Sequence, residues 1–222
     1  MAGQSQTFLQ IVNEVQKRLR EATTAAVSTN TYSALLGTFV NQVKAEIEAA
    51  YTWHALRDTY TVATTNGASS YALTDSGRGA LILSVWDFTN KVQLKRSYRA
   101  RMDQKYFGET VATGNPTEYL PNGYDANYDL KVQLWPQPVT GDLPSLRVNV
   151  YKPQAELSAG TDVPLCPINP LLEGVVARAM AERGEDGGTS ADRQEQYYRD
   201  ILASYVSTEA AHDQTDTDWV PR

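Results

Sequence analysis

The chain is short of the residue types from which active sites are built. It has one cysteine, Cys166, and two histidines, His54 and His212, in 222 residues. A single thiol excludes an internal disulfide framework and fits synthesis in a reducing cytoplasm. With two distant imidazoles it also gives no zinc-ligand spacing, so no metal is expected. A Ser or Cys nucleophile needs a base beside it. Of the two histidines, His54 ends an amphipathic helix next to aromatics and His212 borders a polar tail, so they read as a core-edge residue and a solvated one. No G-x-x-x-x-G-K-[ST] run is present, and Gly77 and Gly79 lead into a strand, so no nucleotide cofactor is expected. Long apolar runs are missing too: nothing approaches the roughly 20 residues of a membrane span. The opening MAGQSQTFLQ has no basic-then-apolar leader pattern. Cations are outnumbered, 20 Lys and Arg against 26 Asp and Glu, for a net charge of −6. That balance argues against whole-surface attraction to nucleic acid. No catalytic, cofactor-binding or metal-ligating residue is assigned.

What is present is secondary-structure patterning and tyrosine, 13 residues against 4 phenylalanines. Tyrosine has an apolar body and a polar tip and suits subunit surfaces as well as cores. Phe8, Val12, Val15 and Leu19 share one face of a helix over 7–20. Leu36, Phe39, Val40, Val43 and Ile47 do so over 31–55, with Asn30 as N-cap. The period then changes to two. Strands are expected around Tyr60–Val62, Tyr71–Leu73 and Leu81–Val85. Val92 and Leu94 read as one face of another, and a short helix or turn should end at Gly108. From Gly114 to Lys152 a hairpin is expected, with its turn at Asn122-Gly123. Leu130, Val132 and Leu134, with Tyr128, line one face, and Leu146, Val148 and Val150 line another. Pro136 and Pro138 end the middle strand. Helix resumes with Asn169 as N-cap and Pro170 in the first turn, carrying Leu171, Leu172, Val175, Val176 and Met180. A last helix from Thr189 carries Tyr197, Tyr198, Ile201, Leu202, Tyr205 and Val206.

The fold class expected is therefore α+β: a four-helix bundle, an inserted antiparallel β-subdomain and an extended C-terminal tail. The boundaries are 1–57 with 165–211 for the bundle, 58–152 for the β-subdomain, 153–164 for a connector and 212–222 for the arm. One charge cluster stands out, namely Lys91, Lys95, Arg96, Arg99, Arg101 and Lys105, opposed only by Asp103 and interleaved with Tyr98 and Tyr106. It is assigned to a contact with another subunit or a partner protein in preference to nucleic acid, because the whole chain is acidic. Two alternatives remain open. One is a DNA-binding protein using residues 91–105; the other is a small hydrolase, for which Glu109 and Glu118 form the one carboxylate pair worth testing.

The order of several stretches carries a resemblance. They are Val12-Asn13-Glu14-Val15-Gln16-Lys17-Arg18-Leu19, Val40-Asn41-Gln42-Val43-Lys44, then YTWHALR, SYALT, GNPTEYL, VQLWPQP, VNVYKP, ELSAGTDVPLCP and LLEGVVARAMAERGED. Together these resemble the head-to-tail adaptor (connector) proteins of tailed bacteriophages over nearly the whole chain. The resemblance implies a structural protein with no enzymatic activity and no cofactor, made in the host bacterial cytoplasm and found at the neck of the virion. It implies a ring of twelve copies that docks under the portal protein and presents a platform to a tail or nozzle protein. Genomic DNA would pass through its lumen without specific binding, and no membrane is involved. The helices would form the ring body, and the segment His212–Arg222 would engage the portal. Within that segment Trp219, Val220, Pro221 and Arg222 are the candidate residues for binding the portal or a neighbouring subunit, because tryptophan is enriched at interface hot spots.

Overall fold

The computed structural model describes residues 5–108, 110–141, 143–184 and 188–217. Its helices are α1 (Phe8–Arg18), α2 (Thr31–Ala50), α3 (Arg99–Asp103), α4 (Ile168–Arg183) and α5 (Thr189–Thr217). Its strands are β1 (Arg57–Ala63), β2 (Ser70–Ala72), β3 (Leu81–Asp87), β4 (Val92–Gln93), β5 (Lys95–Arg96), β6 (Glu118–Tyr124), β7 (Leu130–Trp135) and β8 (Ser145–Tyr151). The chain divides into two compact units, Met1–Leu56 with Gln154–Arg222, and Arg57–Pro153.

In the first unit α1 and α2 start where side chains satisfy their free N–H groups. Thr7 and Gln10 cap α1 reciprocally, and Asn30 and Ser33 do the same for α2. The expected apolar stripes are buried, with Phe8, Val12, Val15, Leu36, Val40, Val43 and Ile47 all in the core. Helix α4 begins at Ile168, so Asn169 and Pro170 sit inside its first turn instead of capping it. A proline there costs nothing, since its missing N–H would have had no helical partner.

The four-helix bundle expected from the sequence is overturned. A bundle asks each helix to bury one stripe toward a shared axis. Here α4 is buried on all sides from Pro170 to Ala177, because α1, α2 and α5 are all packed against it. Gly174 makes this possible: a Cβ at that position would lie 2.7 Å from Val43 Cγ1 and 3.0 Å from the Tyr198 ring. Glu173 fastens the arrangement, accepting hydrogen bonds from Arg18 at 2.8 Å and from the Gln194 amide at 2.6 Å. Helix α5 packs chiefly along α4 and is longer, 29 residues against 16. Beyond Tyr198 its apolar positions are only half covered, and Tyr197 and Tyr205 are exposed. The extended tail is corrected as well. Helix α5 runs through His212 to Thr217, while Trp219, Val220, Pro221 and Arg222 lie outside the described residues.

The stretch from Gln154 to Leu165 has no regular structure, yet its backbone groups are satisfied. The Lys44 ammonium donates to the Gln154 carbonyl at 2.7 Å and to Glu48 at 3.1 Å, with both side chains buried. Asn41 makes a two-way pair with the backbone of Leu157. The carbonyls of Asp162 and Gly160 accept from the first N–H groups of α1.

In the second unit two four-stranded sheets run β1-β8-β3-β4 and β2-β7-β6-β5. All pairings are antiparallel except the two-residue match of β5 with β6. Their facing sides share one core, in which Val85, Leu130, Val132, Leu134, Leu146, Val148 and Val150 are buried. This is the sandwich solution for strands with one apolar face. The outer side of the second sheet is also covered: Leu120 and Trp135 pack with Met102 of α3 and with Tyr106 from the π-helical turn Gln104–Gly108. Strands β4 and β5 are one run that changes sheets at Leu94. Leu94 N–H bonds Val85 in the first sheet, and Lys95 N–H bonds Thr117 beside the second. Val92 and Leu94 were expected on one face, but Val92 is exposed and Leu94 is in the core. The Asn122-Gly123 turn is corrected too. Those residues form an irregularity within β6, and the chain reverses at Asp125–Asp129, where Asp125 Oδ1 accepts from the N–H groups of Asn127 and Asp129.

Three variants test this account. Lys44→Met leaves Glu48 buried without its cation and is expected to cost about 3–5 kcal/mol, most of it recovered when Glu48→Leu is added. Leu134→Ala, at a fully buried position, is expected to cost roughly 2–4 kcal/mol. Urea denaturation of the three variants measures both effects.

Candidate functional site

Among the described residues no catalytic constellation assembles around those that sequence reasoning considered. Among the described residues no group of three or more His, Cys, Asp or Glu is placed to hold a metal. Cys166 is buried, and burial pushes its thiol up to about 12, which keeps it protonated and inert. A cleft of about 710 Å³ opens between α1, the 25–28 loop and α2. Its lining, from Thr7 and Phe8 to Asn41 and Gly160, has no ionisable side chain. No described helix is long and apolar enough to cross a membrane.

The six-residue basic cluster breaks into parts. Arg101 and Lys105 converge on one carboxylate oxygen of Glu118, at 2.7 and 2.9 Å. Burial pushes the Glu118 carboxyl up, but Lys105, the Ser97 hydroxyl and Arg101 outweigh it and hold the group below its usual range. An ionised carboxylate pinned by two cations is unsuited to donate a proton, which argues against a role as general acid. Its companion in that reading, Glu109, lies outside the described residues. Arg99 is occupied by Asp103 at 3.5 Å and by Asn122. Lys91, Lys95 and Arg96 are exposed, and among the described residues none of the three has an ion-pair partner. Half of the cluster thus builds the joint between α3 and β6, and half faces solvent.

Sequence reasoning missed two features. His54 is exposed, and its backbone N–H and ring Nδ1 both meet Glu209 of α5 at 2.7 Å. The His212 ring lies edge-on to His54 at 6.5 Å. Burial raises the Glu209 carboxyl, but the backbone N–H and ring of His54, with His212, lower it further. The contact holds the far part of α5 to the turn after α2, and the 155-residue separation of His54 from Glu209 leaves no sequence signal for it.

The second missed feature is the outer face of the first sheet. In β3 the side chains of Trp86 and, just past its end, Phe88 point away from the core and are 40% and 64% exposed. Trp86 sits directly across from Arg147 of β8. The alternation in LSVWDF contained the signal, since it puts Val85 inside and Trp86 outside. Phe107, in the π-helical turn, is 86% exposed. A surface that displays Trp86 and Phe88 in this way has the composition of a contact surface.

A family model described as SU10 adaptor protein matches residues 6–222 of the chain. No curated protein matches it.

The Glu118 knot has a defined pH signature. A carboxyl whose folded pKa is lowered stabilises the fold fully above its unfolded value, about 4.5, and loses that contribution as the pH falls through the folded value. Glu118→Gln is therefore expected to cost on the order of 1 kcal/mol at pH 7, the scale of a partly exposed pair. The gap between variant and wild type should close on acidification below about pH 4.5. Thermal melts of both proteins across that range check it.

Proposed function

Because the chain belongs to the SU10 adaptor protein family, a family of phage head-to-tail adaptors, we propose that it forms the ring joining the capsid portal to the tail of a bacteriophage. Family membership gives the coarser statement directly: the chain is a structural adaptor and a component of the virion. The single observation that carries the reading is the family match over residues 6–222. Twelve copies meet through heterologous contacts that close on themselves. One side of the ring engages the portal protein and the other a tail or nozzle protein. The exposed cations Lys91, Lys95 and Arg96, with Arg99, Arg101 and Lys105 behind them, lie at a subunit or tail contact. Trp219, Val220, Pro221 and Arg222 anchor the C-terminal segment on the portal or a neighbouring subunit. The protein is synthesised in the host cytoplasm and performs no catalysis. A net charge of −6 per copy suits a lumen through which DNA slides, since each phosphate neutralised adds affinity and friction.

Mixing the purified protein with portal particles and imaging them tests the ring. Portal-capped rings support it, and a chain that remains monomeric beside intact portals overturns it. A chain ending after Thr217 is expected to keep its thermal midpoint and to lose most portal-bound assembly. Undiminished assembly by that chain would remove Trp219 and its neighbours from the interface.

A further inference from the structure

On the outer face of the first sheet, Trp86, Asp87, Phe88, Lys91, Arg147 and Asn149 line a cavity of about 270 Å³. That is below the roughly 300–1,000 Å³ of small-molecule sites and suits a single inserted side chain. The walls are apolar and cationic. Trp86 and Phe88 supply exposed ring surface. Lys91 and Arg147 are exposed and have no ion-pair partner among the described residues. The one carboxylate in the lining is withdrawn: Asp87 is 2% exposed, and its two oxygens accept from the backbone N–H and side-chain amide of Asn90, at 2.8 and 2.7 Å. The Asn149 amide is turned to Ser84 at 2.9 Å. What fits is a bulky apolar side chain flanked by negative charge.

The chain contains such a segment. Asp213 to Arg222 reads DQTDTDWVPR, with three aspartates, one terminal arginine and a single aromatic, Trp219, directly after Asp218. Anchor and counter-charge are adjacent in the segment, as Trp86 and Arg147 are adjacent across the strands. Asp218 to Arg222 lie outside the described residues, which end with Thr217 of α5. Pro221 narrows the conformations available to that stretch and so reduces the entropy lost on docking.

We propose that this cavity receives the C-terminal segment of a second copy of the chain, with Trp219 seated between Trp86 and Phe88 and Asp218 facing Arg147 and Lys91. The inference rests on the reading that copies assemble, and it names one contact through which they do so. The aromatics would also suit single-stranded nucleic acid, but the number of cations selects this occupant over it. Such strands are tracked by a groove with many cations, whereas here two cations flank one cavity on a chain of net charge −6.

The test is the titration of a fluorescent peptide spanning residues 211–222 into the full-length chain carrying Trp219→Ala, so that the receptor's own segment lacks its anchor. Saturable binding is expected, weakened by salt. It should fall at least roughly ten-fold, about 1.4 kcal/mol, when the receptor carries Arg147→Glu or the peptide carries Trp219→Ala. A peptide with Asp218→Lys should recover binding to the Arg147→Glu receptor, an outcome that a merely misfolded receptor does not give. Absence of saturable binding, or binding indifferent to Arg147→Glu, overturns the proposal. Displacement of the peptide by a single-stranded oligonucleotide at lower concentration also overturns it. The assay needs neither portal nor ring. Normal portal-capped rings with no peptide binding overturn this contact alone, whereas peptide binding without rings supports the contact and overturns the ring reading.

Discussion

The helical unit depends on what happens to one buried ammonium. Lys44 is on the inner side of α2 and has no access to water. An unpaired charge there would be prohibitively costly, so its three donors must find oxygen within reach. Glu48, one turn on, supplies one partner, and the carbonyl of Gln154 supplies another. That second bond fixes where the chain enters the helical unit after β8. From there Asn41 holds Leu157, and the carbonyls of Gly160 and Asp162 close the start of α1. A segment with no ladder of its own is thus held by an ordered series of side-chain bonds, and it delivers Pro167 to the start of α4. Burial raises the Glu48 carboxyl even though Lys44 and the Gln154 backbone pull the other way. The pair therefore works more as a positional device than as a source of net stability.

The β unit is asymmetric in a way that separates structure from function. Its second sheet is covered on both sides, by the shared core and by α3 with the π-helical turn. Its first sheet has the core on one side and exposed Trp86, Phe88 and Arg147 on the other. The Glu118 knot belongs to the covered side, where its two cations are consumed in holding α3 to β6. Two of the exposed cations, Lys91 and Arg147, accompany the exposed aromatics.

Elements whose period is set by local geometry were legible in the sequence. The stripe Phe8, Val12, Val15, Leu19 and the alternation Leu146, Val148, Val150 are buried as read, because each depends only on the repeat of a helix or a strand. Features that depend on the chain meeting itself were not. Asn122-Gly123 has the residues of a tight turn, but the Asp125 carboxylate caps a reversal a few residues later and wins locally. Val92 and Leu94 part company because the strand changes sheets between them. The bundle failed because four amphipathic stripes do not say which helix lies in the middle. Only the close approach at Gly174, with its neighbours Val43 and Tyr198 on other helices, decides that. The same holds for the candidate site: six cations in sequence are visible, but the carboxylate that claims two of them is not. His212 reads as the start of a polar tail because helix propagation needs only one bond per added residue and no apolar partner.

The run from Val92 to Arg96 gives two residues to one sheet and then two to the other, with Leu94 at the crossing. Mechanically, the two layers share a strand. Neither sheet can slide over the other without drawing Leu94 out of the core, so a shear load on one layer is transmitted to its partner as tension along covalent backbone. Amides on both sheets should accordingly exchange through a common opening event, one cooperative block instead of two peeling leaves.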